Sequence, residues 1–200
     1  MTAIANPSQL VLVRHGETVG NSSIRYYGRT DVALSELGRA QLRAAAAWLR
    51  THHGVARFAQ VFASPLSRAV EGARLIAGAH PGLIKIAEFA EVDFGIFEGL
   101  TAEEIRERHP VEFERWDRDR LAPDYTYPGG ESRAAFTARV EGGVERMLPH
   151  LDAVAQPCAD ADGGATADGR SRTVLVVAHR GVIRVITRRL AGVEPRIELG

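Results

Sequence analysis

The sequence is poor in cysteine and lysine and has no long apolar run. Cys158 is the only cysteine, so no disulfide can form within the chain. Lys85 is the only lysine among 25 basic residues, and 25 acidic residues balance them to a formal net charge of zero. A neutral chain without a basic stripe is a poor match for nucleic acid or an anionic membrane surface. No apolar segment is long enough to span a bilayer, and the N-terminus lacks a signal-like stretch. The expectation is a soluble cytoplasmic protein with no nucleic-acid or membrane partner. Several catalytic patterns are also missing. There is no closely spaced His-x-His or His-Glu-x-x-His pair for a metal, no Gly-x-Ser-x-Gly elbow and no P-loop. Cys158 lacks the Cys-(x)5-Arg spacing of a cysteine phosphatase.

What is present is 200 residues with 45% hydrophobic content, enough for one domain with a substantial core. Four short apolar runs alternate with helical patterns. Leu10-Val11-Leu12-Val13 runs into Arg14-His15-Gly16, and a run this short, ended by Gly, is a strand buried on both faces. Gly16 permits a sharp turn and close approach of a ligand. Residues 21–31 are a loop. Ser35 caps a helix over about 36–51, and residues 59–63 form the second strand. Ser64-Pro65 starts the next helix, with Ser64 as N-cap and Pro65 at its first position, and the helix ends near Gly78. Residues 83–89 are a third strand. Thr101 to Glu104 fits a capping box opening a short helix that ends at His109-Pro110, and a charged helix follows over about 111–118. Ser132 caps a long helix to about Val154, and residues 155–172 are a flexible Ala-, Gly- and Asp-rich loop. Residues 173–178 are the fourth strand, followed by an amphipathic helix over about 182–190. The pattern predicts a three-layer α/β/α sandwich around a mainly parallel, doubly wound sheet, as one domain over residues 1–200. Residues 96–131 are read as a helical cap.

Each strand is followed at once by residues able to handle phosphate or a proton: Arg14 and His15, then Arg68, then Glu91, then His179. In a parallel sheet these strand ends share one edge, so the residues converge. A transferring phosphoryl group spreads negative charge over three oxygens, which guanidinium forks match two at a time. An imidazole with one free ring nitrogen can attack phosphorus, and a protonated carboxyl can supply the leaving oxygen with a proton. Among the carboxyls after the third strand, the residues alone leave Glu91, Asp93 and Glu98 open. Taken singly, His179 at the end of an apolar strand suits a satisfied core histidine, and Arg68 a surface helix position.

Over nearly its whole length the chain resembles the histidine phosphatase superfamily, the phosphoglycerate mutase-like fold. The likeness rests on Arg14-His15-Gly16-Glu17-Thr18 with Asn21, on Gly28-Arg29-Thr30-Asp31, on Ser64-Pro65-Leu66-Ser67-Arg68-Ala69, on Glu91-Val92-Asp93-Phe94-Gly95, on Gly129-Gly130-Glu131-Ser132 and on Val176-Val177-Ala178-His179. It implies His15 as the residue phosphorylated, Glu91 as proton donor, Arg14, Arg68 and His179 as the phosphate pocket and Asn21 as a helper. It also implies no metal, no cofactor and a small-molecule phosphomonoester as substrate. Two departures stand out. Arg180 occupies the position after His179 where the family often has Gly, and relatives continue into a further strand that this sequence does not reach.

The leading expectation is a phosphomonoester hydrolase working through a phosphohistidine on His15. Its first alternative is a phosphoglycerate mutase-type phosphoryl transfer. Such mutases carry a longer insertion before the Gly-Glu-Ser block, whereas the stretch from Gly95 to Glu131 is short here. A non-catalytic phosphate-binding regulatory module and a metallohydrolase using His15 and His179 are further alternatives. The sequence leaves the substrate and the oligomeric state open, a dimer included.

Overall fold

In the computed structural model, residues 9–21, 24–53, 55, 57–155 and 173–192 are described. The apolar runs become four parallel strands: β1 (Gln9–Arg14), β2 (Gln60–Ala63), β3 (Leu83–Lys85) and β4 (Thr173–Ala178), in the order β1-β4-β2-β3. The last strand in sequence is therefore central, and all six of its residues are buried. Its alternation sorts the two layers. Val174, Val176 and Ala178 face one core with α5 (Arg133–Ala155) and α6 (Arg180–Ala191). Leu175 and Val177 face a second core with α1 (Glu36–His53) and α2 (Ser67–Ala77). This is the expected α/β/α sandwich, and burial on both faces explains the unbroken apolar runs.

Local chemistry sets most helix starts. Ser35 Oγ accepts from the Gly38 amide, Ser132 Oγ accepts from the Ala135 amide, and the Thr101 to Glu104 box closes in both directions. That box opens α3 (Ala102–Arg108), and Pro110 then begins α4 (Pro110–Asp119) at a position where its missing N–H costs nothing. Three expectations are corrected. The helix after β2 starts at Ser67 and has Leu66 as N-cap, because the Ser64 hydroxyl is engaged elsewhere. The third strand ends at Lys85, because Ala87–Phe89 turn into a 3₁₀ helix that drives Phe89 into the core at zero exposure. Finally, α6 begins at Arg180, directly after His179. The loop expected at about 155–172 lies outside the described residues beyond Ala155, and Cys158 lies with it.

Gly16 serves close packing rather than a special turn. A Cβ there would overlap the Gly38 backbone, and one on Gly38 would overlap that of Glu17. The loop after β1 thus lies directly on the first turn of α1, tied by Ser35 N and Oγ, which both donate to the Glu17 carbonyl. No helix among the described residues is long and apolar enough to cross a membrane.

Because Leu175 is fully buried in the central strand, Leu175→Ala is expected to lower unfolding stability by about 2–5 kcal/mol. Urea denaturation followed by circular dichroism measures this, and a loss well under 1 kcal/mol would contradict the central position of β4.

Candidate active site

The sheet ladder continues one bond past the ends of β1 and β2. The His15 amide donates to the Ala178 carbonyl and the Ser64 amide donates to that of Val177, both at 3.0 Å. His15, Ser64 and His179 therefore sit side by side on the carboxyl edge of the sheet. The His15 and His179 rings lie 5.1 Å apart, edge to face. His15 Nδ1 is 2.7 Å from the Gly16 carbonyl, which can only accept, so Nδ1 carries the proton and Nε2 presents a lone pair. His179 Nε2 is 2.7 Å from Ser64 Oγ, and Ser64 Oγ accepts from the Leu66 amide at 3.3 Å. With Ser64 accepting there, its own proton is available to His179 Nε2. That assignment places a hydrogen on Nδ1, which is buried and has no partner among the described residues.

Burial and cations keep both imidazoles uncharged. Desolvation is the largest influence on His15; Arg68 and Arg14 add repulsion, and together they bring its pKa down to about 3 against the opposing pull of the Gly16 carbonyl. His179, at 1% exposure, is held well below the usual imidazole range by desolvation, then by Arg68, His15 and Arg14.

Of the three carboxyls left open by the sequence, only Glu91 reaches the cavity beside His15. Its oxygens accept from the Val92 and Gly181 amides, both at 3.0 Å. A Cβ on Gly181 would press on Glu91 Oε1, so the glycine after Arg180 makes room for this carboxyl. Burial raises the Glu91 pKa and outweighs the lowering by the two amides, Arg68 and Arg14. Glu98 instead accepts from the amides of Gly28, Arg29, Thr30 and Phe94. Asp93 accepts from the Gly95 amide.

Arg68 is fully buried at the start of α2. Its Nη1 donates to the Thr30 carbonyl, and its Nη2 donates to those of Gly28 and Tyr27. It therefore clamps the loop that Glu98 holds from the other side, and its Nε is buried without a partner among the described residues. Arg14 is exposed at the end of β1 and lines the cavity. Asn21 is not part of the lining; it takes the left-handed conformation (φ 67°) at the turn where its amide donates to the Thr18 carbonyl.

The cavity beside His15 measures about 400 Å³, a size that suits a small molecule; His179 and Arg68 are buried next to it and are not part of its lining. Part of the lining is a chain of edge-to-face aromatic rings, Tyr26 on Phe94 at 5.3 Å and Phe94 on Tyr127 at 5.0 Å; Trp116, outside the lining, meets Tyr26 at 5.8 Å. From α6 the lining takes Arg180, Arg184 and Arg188. Sequence reasoning missed Ser64 as a partner of His179, and it missed Glu98 as the loop clamp. The signal for Glu98 was too weak to find, since its four donors are all backbone amides. Among the described residues, no three His, Cys, Asp or Glu side chains gather as metal ligands.

The two imidazoles dictate an acid response. An unfolded histidine gains its proton near pH 6.5, whereas folded His15 stays neutral down to about 3. The unfolded state therefore binds more protons in this window, and stability is lost as pH falls. The wild-type slope from pH 5.5 to 4 is expected to exceed that of His15→Asn by about 1.4 kcal/mol per pH unit in urea titrations. Equal slopes would mean that folded His15 is protonated there.

Residues 10–197 match the family described as the histidine phosphatase superfamily (branch 1). A bifunctional protein of Mycobacterium tuberculosis is 35% identical over 187 residues, 93% of this chain and 45% of that protein; the chain thus spans about half the length of this relative. Phosphoserine phosphatase 1 of Hydrogenobacter thermophilus is 31% identical over 93% of this chain and 77% of its own length. The crystal structure of the α-ribazole phosphatase from Shigella flexneri superposes with a TM-score of 0.71 at 26% identity, covering 93% of this chain and 80% of that one. With a family match across almost its full length and the fold shared as well, this chain belongs to the histidine phosphatase superfamily.

Proposed function

We propose that the chain hydrolyses small phosphomonoesters through a phosphohistidine on His15. The observation that carries this reading is the 2.7 Å bond from His15 Nδ1 to the Gly16 carbonyl, which aims an unprotonated Nε2 outward. Nε2 attacks phosphorus in line while the phosphorus–oxygen ester bond breaks. Glu91, whose raised pKa favours the protonated carboxyl, gives its proton to the leaving oxygen. Glu91, now a carboxylate, takes a proton from water as the water oxygen attacks phosphorus, and cleavage of the nitrogen–phosphorus bond restores His15. Arg14, Arg68 Nε and His179 Nδ1 supply donors for the phosphoryl oxygens, where preorganised charge lowers the barrier most. Two buried atoms without partners, Arg68 Nε and His179 Nδ1, support this assignment, because an unsatisfied donor is costly unless a ligand completes it. Relatives named as phosphatases favour water as the acceptor.

Hydrolysis of p-nitrophenyl phosphate in the presence of a chelator tests the reading, and His15→Ala is expected to abolish it. Glu91→Gln is expected to lower kcat by about 10²–10⁴ for alkyl phosphates. The loss should be smaller for p-nitrophenyl phosphate, whose leaving group needs little protonation. Undiminished turnover by His15→Ala would refute the proposal. Transfer of phosphoryl groups to an added sugar acid in preference to water would indicate a mutase.

A further inference from the structure

Glu91 sits in a connecting segment outside every strand and helix, and Arg139 of α5 anchors its main chain. Arg139 Nη1 donates to the carbonyls of Glu88 and Ala90 at 2.7 and 3.0 Å, and Nη2 donates to that of Glu91 at 3.4 Å. Nε and Nη2 also donate to the two carboxylate oxygens of Glu131, at 2.9 and 2.7 Å. A guanidinium carries five N–H donors, and these five bonds use them all. Arg139 therefore has nothing left for a ligand, and it does not line the cavity. The pair is mostly buried, at 18% and 14% side-chain exposure. Burying two charges offsets much of their attraction, so a pair like this is a weak source of net stability. What it fixes is geometry. The Glu131 amide donates to the Asp93 carbonyl at 3.0 Å, so the pair grips the chain on both sides of Glu91. The Glu91 carboxyl is then aligned by the Gly181 amide at 3.0 Å.

We infer that Arg139, locked in place by Glu131, is a positioning residue that aims the Glu91 carboxyl at the leaving oxygen. The inference rests on the phosphatase reading, in which Glu91 is the proton donor. Glu91 and His15 line the same cavity, so the donor must stay in register with the nucleophile. A displacement of about 1 Å in such a pair can cost about 10²-fold in rate. Arg139→Lys keeps the charge but loses the planar fork and with it the simultaneous hold on Glu131 and three carbonyls. Glu131→Gln is the milder change, since it keeps the side-chain size and one acceptor oxygen.

The test is a ratio of kcat values, for p-nitrophenyl phosphate over 2-(4-nitrophenyl)ethyl phosphate. The two esters share a nitrophenyl ring, but only the second has a leaving oxygen that needs the proton. The ratio is independent of the fraction of enzyme that is folded, so a loss of stability alone does not move it. Glu91→Gln is expected to raise it about tenfold or more. Arg139→Lys should raise it about tenfold and Glu131→Gln about threefold, each with the larger loss on the alkyl ester. Added to Glu91→Gln, Arg139→Lys should change the ratio by less than about twofold, because Arg139 acts through Glu91. Equal losses on both esters in the two single variants, or a full further shift in the Glu91→Gln background, would overturn the inference. So would a wild type that turns over the nitrophenyl ester alone. If Glu91→Gln moves the ratio in these cases, the phosphatase reading stands. Hydrolysis of neither ester by wild type removes that reading, and this inference with it.

Discussion

Arg68 carries a guanidinium to a fully buried position and fastens it to three backbone carbonyls, those of Tyr27, Gly28 and Thr30. A buried cation without a carboxylate in contact is expensive, and burial does press its pKa down. It persists because the loop it holds is fixed twice. Glu98 takes the amides of Gly28, Arg29 and Thr30 while Arg68 takes the carbonyls, so loop dipoles link the acid to the base. Neither group needs to touch the other to lower the cost of burying both. Removing either would leave several backbone groups unpaired at the edge of the cavity.

The same buried charge orders the titration of the site. Arg68 repels a proton from both His15 and His179, and it favours the ionised form of Glu91. Desolvation acts in concert with it on the histidines and against it on the carboxyl, where burial prevails. The outcome is two neutral imidazoles beside a carboxyl biased towards its protonated form. That combination is what the proposed transfer requires, with a nucleophile that needs no base and an acid already charged with its proton. The environment that disfavours charge on these groups also rewards a bound anion, whose arrival offsets the repulsion among Arg14 and Arg68.

Much of this was readable from residue pattern, for a physical reason in each case. β4 was placed to the residue because a strand buried on both faces is apolar throughout, and α5 was placed within a residue or so by the Ser132 cap. The convergence of His15, Glu91 and His179 followed from parallel strands sharing an edge. What stayed hidden was whatever depends on competition between partners. Ser64-Pro65 has the local form of a helix start, yet its hydroxyl goes to His179, a residue 115 positions away. Arg68 was expected to offer phosphate its fork, but the Nη groups are taken by carbonyls of a loop whose path no periodicity reveals. Residues 83–89 have strand character to their end; an edge strand paired on one side cannot hold Phe89 in line against the pull of the core.

Chemistry and specificity thus occupy different parts of the molecule. The groups proposed to react follow strand ends fixed by the ladder and by buried charge, where a small shift would break several hydrogen bonds at once. The cavity walls come from α6 and from aromatic residues outside the sheet, Tyr26, Phe94 and Tyr127. Arg25 donates to Glu104 of α3 and to the Gly99 carbonyl, so α3 is anchored beside Tyr26 and Tyr27 on the loop that Arg68 holds. A change in the walls can therefore alter which molecule enters while His15, His179 and Glu91 keep their geometry. The reverse does not hold, because moving Arg68 would release the loop and with it one wall of the cavity.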